Sequence, residues 1–184
     1  MTTKLVTTSI TTTVRFAALA WLLLAAAVHA NEPSRKLTLS VYLDTAGADS
    51  VLAGKYDVAI KQLGSHGASF QRDQIAASTN LCVALIMSRQ WDQARSTCDE
   101  AVNDARFNTA DNTLGARQEQ QKEMAIAYSN RAVLEYLTDK PQNATRDVER
   151  AHSLAPSTEF VSQNWVALNG KPQSVSSPEI ASVN

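Results

Sequence analysis

Three times along the chain the same kind of five-residue word opens an apolar helical stretch: Lys55-Tyr56-Asp57-Val58-Ala59, Gln90-Trp91-Asp92-Gln93-Ala94 and Lys140-Pro141-Gln142-Asn143-Ala144. The closing alanines stand at 59, 94 and 144, steps of 35 and 50. That is a period of roughly 34 with one insertion of about 16 residues, inside the window of helical repeats. Cys98 and Ala101 follow Ala94, and Val148 and Ala151 follow Ala144, at steps of four and three. Such steps lay one stripe along an α-helix. A first helix precedes each word in the same phase. Asn80-Leu81-Cys82 and Asn130-Arg131-Ala132 begin 14 residues ahead of Ala94 and Ala144, and Asn164-Trp165-Val166 follows one period of 34 after Asn130.

These residues resemble the tetratricopeptide repeat family, over roughly residues 51 to 169. The resemblance is most specific from Ala127-Tyr128-Ser129-Asn130-Arg131-Ala132 through Ala151-His152-Ser153-Leu154-Ala155-Pro156. It implies an all-α chain of antiparallel helix-hairpin repeats, a short α-solenoid of about two and a half repeats plus a capping helix. In that family a small residue in the first helix (here Cys82, Ala132) and one early in the second (Ala94, Ala144) let the pair approach closely. A later one (Ala101, Ala151) receives the next repeat. Pro156 ends its helix, having no amide donor and a ring that clashes with the preceding turn. The chain departs from the family at Arg106, where no proline closes the middle repeat, and at Pro141, which replaces the usual aromatic. The first repeat is a fragment whose first helix contains Ala46-Gly47-Ala48.

Lys4 and Arg15 precede an apolar run of 13 residues, Phe16 to Val28, that ends Val28-His29-Ala30 before a polar Asn31-Glu32-Pro33-Ser34. A membrane-spanning helix needs about 20 apolar residues, so the run reads as a cleaved signal peptide of an exported bacterial protein, cut after Ala30. The mature chain is then periplasmic or secreted, without a membrane span. Its 154 residues carry 15 basic and 18 acidic side chains, a net −3 that argues against nucleic acid, which calls for a basic patch. Residues 31–50 form an N-terminal arm whose alternating Lys36-Leu37-Thr38-Leu39-Ser40-Val41-Tyr42-Leu43 reads as a short strand or an extended arm. The helical domain occupies 51–169. Its insertion, about 103–121, is expected to begin as a loop and to lengthen the next helix from Arg117 toward Leu137. The segment 170–184, with Pro172, Pro178 and several serines, is expected to be disordered.

In the repeat alignment Cys82 and Cys98 lie on facing sides of one helix hairpin. With export to an oxidising compartment, a disulfide is expected; the alternative is two small buried apolar residues. No catalytic constellation stands out. Only His66 and His152 remain after signal cleavage, and Gly64-Ser65-His66-Gly67 reads as a turn between hairpins. His152 suits a helix C-terminus. The sequon Asn143-Ala144-Thr145 reads as chance, because Ala144 belongs to the core stripe, and Trp91 and Trp165 fall on repeat-core positions. No enzyme activity, cofactor or metal site is expected.

With Asn80, Asn130 and Asn164 taken as equivalent, the groove-facing residues are Ala76, Thr79, Val83 and Ile86; then Ile126, Ser129, Val133 and Tyr136; then Phe160 and Gln163. This face is mostly apolar and carries no lysine or arginine, which argues against the carboxylate clamp that some members of the family use. The expected function is an interaction module whose groove takes an amphipathic helix or extended apolar segment of another envelope protein, with Tyr136 and Ile86 as anchors and the three asparagines free to bond its backbone. The alternatives are a groove filled by the chain's own Leu37–Leu43 arm or by a second copy in a homodimer. A different class, an envelope enzyme or small-ligand binder on the same scaffold, remains beside them.

Overall fold

The structure, a computed structural model, describes residues 36–65, 71–107, 113–170 and 177–183. The expected signal segment, with its cleavage site, and residues His66 and Gly67 of the expected turn lie outside them. In chain order the elements are β1 (Thr38–Tyr42), α1 (Ala48–Leu52), α2 (Tyr56–Ser65), α3 (Gln71–Met87), α4 (Trp91–Phe107), α5 (Leu114–Leu137), α6 (Pro141–Leu154), α7 (Glu159–Asn169) and β2 (Glu179–Val183). Helices carry the fold, as expected for an all-α chain, and one two-stranded parallel sheet is added to them.

The recurring words prove to be helix starts: α2, α4 and α6 begin at Tyr56, Trp91 and Pro141. Ahead of each lies the same three-residue turn. Its middle residue, Gly54, Arg89 or Asp139, has a left-handed backbone with φ of 71°, 60° and 59°. In all three the middle amide donates to the carbonyl three residues back (Val51, Ile86, Tyr136). The next amide donates five back, to Ser50, Leu85 and Glu135. This double bond is the Schellman C-cap, which satisfies carbonyls that a helix end otherwise orphans. An L side chain in this conformation costs about 1 kcal/mol, so at Arg89 and Asp139 the two bonds offset a local strain. Gly47, with φ of 84°, is a stricter case, because a Cβ there would sit 2.9 Å from Leu63 Cγ.

Small residues fall where helices cross. Ala59, Ala94, Ala144, Cys82, Ala132, Ala101 and Ala151 are all buried, and each permits a close approach that a larger side chain would block. Cys82 and Cys98 form a disulfide between α3 and α4, with their Cα atoms 4.9 Å apart. Fifty residues on, Ala132 and Val148 take those places. There α5 and α6 are tied one position earlier, where Arg131 Nε and Nη2 donate to the two carboxylate oxygens of Asp147 at 2.7 and 2.9 Å.

Several expectations need correction. The insertion's first residues continue α4 to Phe107 and α5 already starts at Leu114, so 103–107 are helical; residues 108–112 lie outside the described part. Good helix formers from Ala116 to Glu123 extend α5, whereas α4 is carried on by packing, with Val102 and Ala105 buried against Ile75 and Ala127. Within 170–184, expected to be disordered, residues Glu179–Val183 form β2. Composition underrates this segment because its partner strand is remote: Lys36 and Glu179, which pair across the sheet's start, are 143 positions apart. Trp165 is not a core residue. It is 36% exposed, and its ring stacks on that of His152 with centroids 4.7 Å apart. In α7 it is Phe160, Val161, Asn164 and Ala167 that turn inward, while Val166 faces out.

Candidate functional site: an asparagine clamp on an extended strand

Asn80, Asn130 and Asn164 occupy the same phase of α3, α5 and α7, and all three are fully buried. A primary amide carries an acceptor and a donor side by side, the complement of one residue's N–H and C=O. Along a β-strand, alternate residues turn these groups to the same side. The three amides meet three alternate residues of β1. The Thr38 N–H donates to Asn164 Oδ1 and Asn164 Nδ2 donates to the Thr38 carbonyl, both at 2.7 Å. Ser40 makes the same pair with Asn130, both at 2.8 Å. Tyr42 makes it with Asn80, again both at 2.8 Å. Second donors are used as well: Asn164 Nδ2 also reaches Ser129 Oγ, and Asn80 Nδ2 reaches Thr45 Oγ1.

The intervening residues of β1 turn their main chain the other way, toward β2. The strands run parallel, with Thr38 opposite Glu179 and Tyr42 opposite Val183. At the ends, the Glu179 amide donates to the Leu37 carbonyl at 2.7 Å and the Leu43 amide to the Val183 carbonyl at 3.2 Å. Lys36 Nζ meets Glu179 Oε1 at 2.7 Å. Thus β1 is bonded on both edges, by helix side chains on one and a strand on the other. Its odd-numbered side chains, Leu37, Leu39 and Val41, are fully buried in a cluster with Val83, Ile86, Val133 and Leu134. Tyr42, on the opposite face, packs with Ile126, Phe160 and Val183.

The expected binding groove is therefore not open. Thr79, Asn80, Val83, Ile86, Ile126, Ser129, Asn130, Val133 and Phe160 are buried, Tyr136 is half-buried against the same core, and only Gln163 is exposed. Gln163 Oε1 accepts from Thr38 Oγ1 at 3.2 Å. The chain's own arm is what fills the face: it takes an apolar floor out of water and gives the amides buried with it their hydrogen-bond partners. Ile86, expected as an anchor for a partner, packs on that arm. β2 carries no strand signal in the sequence, because Ile180 and Val183 stand three apart and turn to opposite faces, leaving no period-2 alternation.

Between the hairpins, Arg131 Nη1 also meets Asp99 Oδ1 at 2.8 Å, and Arg95 reaches Glu135 Oε1 at 3.3 Å. Burial alone would lower the Arg131 pKa, but the bonds and charge of Asp147, then of Asp99, outweigh it and raise it above its usual value. Asn143, of the sequon, donates to Glu135 Oε2, and Ala144 beside it is buried. A half-open cleft of 330 Å³ lies beside the start of β2, lined by Ile86, Met87, Arg89, Trp91, Leu137, Ser177 and Pro178. Among the described residues no group of three or more His, Cys, Asp or Glu is placed to hold a metal ion, and no helix is long and apolar enough to cross a membrane. Comparison with protein-family models, with curated proteins and with solved structures finds no match.

Proposed function

We propose that this chain is an exported interaction module of tetratricopeptide-like helix hairpins, whose concave face binds extended polypeptide by its main chain. Three observations support the hairpin reading. The helix starts, the Schellman turns and the small buried residues all recur with the offsets of 35 and 50 seen in the words. Export is supported by the charged and apolar N-terminal run and by the Cys82–Cys98 disulfide, which persists in an oxidising compartment. The observation that carries the function is the asparagine clamp. Main-chain recognition of this kind is indifferent to side chains except where pockets select them; the arm is the segment resident on the clamp, and with it in place the face suits an extended segment of another envelope protein alongside it.

The test is reconstitution in trans. A mature chain lacking residues 31–43 is expected to bind a synthetic peptide of residues 35–44, measured by fluorescence anisotropy, and Asn130→Ala is expected to weaken that binding at least tenfold. A shortened chain that keeps its helical content yet binds neither this peptide nor other extended apolar peptides contradicts the proposal.

A further inference from the structure

We infer that the outer lane of the sheet, now held by residues 177–183, is the partner-binding position: β2 is an exchangeable strand, displaced by an extended segment of another protein that runs parallel to β1. This rests on the proposed function and names its site. The two strands are unequally attached. β1 is locked from below by helix side chains and buries Leu37, Leu39 and Val41 completely. In β2, by contrast, Glu179 and Ser182 are exposed, Ile180 and Ala181 are half-buried, and Val183 alone is buried. An element with few buried apolar contacts opens at low free energy. Losing it would leave the outer main-chain groups of Leu37, Leu39, Val41 and Leu43 open to any parallel strand.

The lane also states what chemistry it prefers. Lys36, at its entrance, meets the Glu179 carboxylate at 2.7 Å, so an acidic residue belongs there. Ile180 leans on the cluster around Leu39, and Val183 on the one around Ile126 and Phe160, so apolar residues belong one and four positions after the acid. One place is badly filled by the resident segment. Pro178 shares a face with Ile180, and beside it the 330 Å³ cleft between Ile86, Leu137 and Trp91 stays empty. A partner with a bulky apolar residue just before the acidic one fills this cleft, and so gains a contact that the resident strand lacks. The expected ligand is an extended segment reading bulky-apolar, acidic, apolar, any, any, apolar.

The probes are labelled synthetic peptides of residues 177–184, native and with Pro178→Phe. A chain ending at Ser176 is expected to keep its helical circular dichroism and to bind both peptides, the Phe peptide about tenfold tighter. A Glu179→Lys peptide is expected to bind several-fold more weakly at low salt. The full-length chain should bind the Phe peptide only weakly, since its tethered strand competes at an effective concentration of order millimolar. Val183→Asp in the full-length chain should loosen that competitor and raise the affinity with helicity unchanged. Collapse of the shortened chain's helicity, no binding to a folded shortened chain, or no advantage of Phe over Pro each overturns the inference. The asparagine clamp is judged separately, by the arm peptide.

Discussion

One side-chain amide at Asn130 satisfies both polar groups of Ser40 in a place that water does not reach. Replacing it by alanine leaves a buried N–H and a buried C=O without partners. At roughly 1–3 kcal/mol for each such group, Asn130→Ala is expected to cost about 3 kcal/mol in denaturant unfolding. Asn130→Asp is the sharper probe. A protonated carboxyl still offers one donor and one acceptor, whereas the ionised form offers acceptors only and is buried. Its pKa is then higher folded than unfolded, so the stability of this variant is present at low pH and falls as pH rises through the folded-state value. Equal stability of the Asp variant at pH 4 and pH 7 contradicts the clamp. The sequence made these asparagines legible, because they recur in phase and their chemistry suits a backbone. It left the identity of that backbone open, since a groove that reads main chain leaves no side-chain signature on its ligand.

The elements show two ways of tying a helix hairpin. Between α3 and α4 the tie is covalent, Cys82 to Cys98, 16 positions apart; between α5 and α6 it is ionic, Arg131 to Asp147. For a loop of this length the chain-entropy account gives about 3 kcal/mol. The Cys82→Ala, Cys98→Ala double variant is accordingly expected to lose about that much while remaining folded, because Ala132 shows that the site accepts an alanine. No change in melting temperature would mean that the bond is absent from the purified protein. The last helix, α7, contributes Asn164 as well as Phe160 and Val161. Truncation after Pro156 removes one clamp on β1 along with these buried side chains, and is expected to make the chain aggregate or melt much earlier. Trp165→Ala, by contrast, should cost only about 1 kcal/mol, the worth of an exposed aromatic stack on His152, as read by thermal melting. Helix starts, turns and small residues were legible because periodicity and turn chemistry are local. The exposure of Trp165 was not: it stands one position after Asn164, where Leu81 and Arg131 after the other two asparagines are also only half-buried, and a large aromatic there reads as core from its size alone.

At the scale of the molecule, residues from opposite ends of the described chain meet in one parallel sheet, Thr38 beside Glu179. Helix hairpins form from near neighbours, whereas this pairing must close a loop of more than a hundred residues, so it belongs late in folding. That distance also explains why the strand at 179–183 was missed and why the arm at 37–43 stood undecided between strand and arm: neither is a sheet until the other, and the clamp, are in place. The central claim is that the arm is a permanent, two-sided part of the groove. Native-state hydrogen exchange of the protein, resolved by NMR, tests it most directly. The amides of Thr38, Ser40 and Tyr42 are expected to be protected to nearly the same free energy as the core of α5, with Ser40 losing protection first in Asn130→Ala. Exchange of these three amides at the rate of unstructured chain, in a protein whose helices remain protected, would show that the groove stands open and would contradict the account.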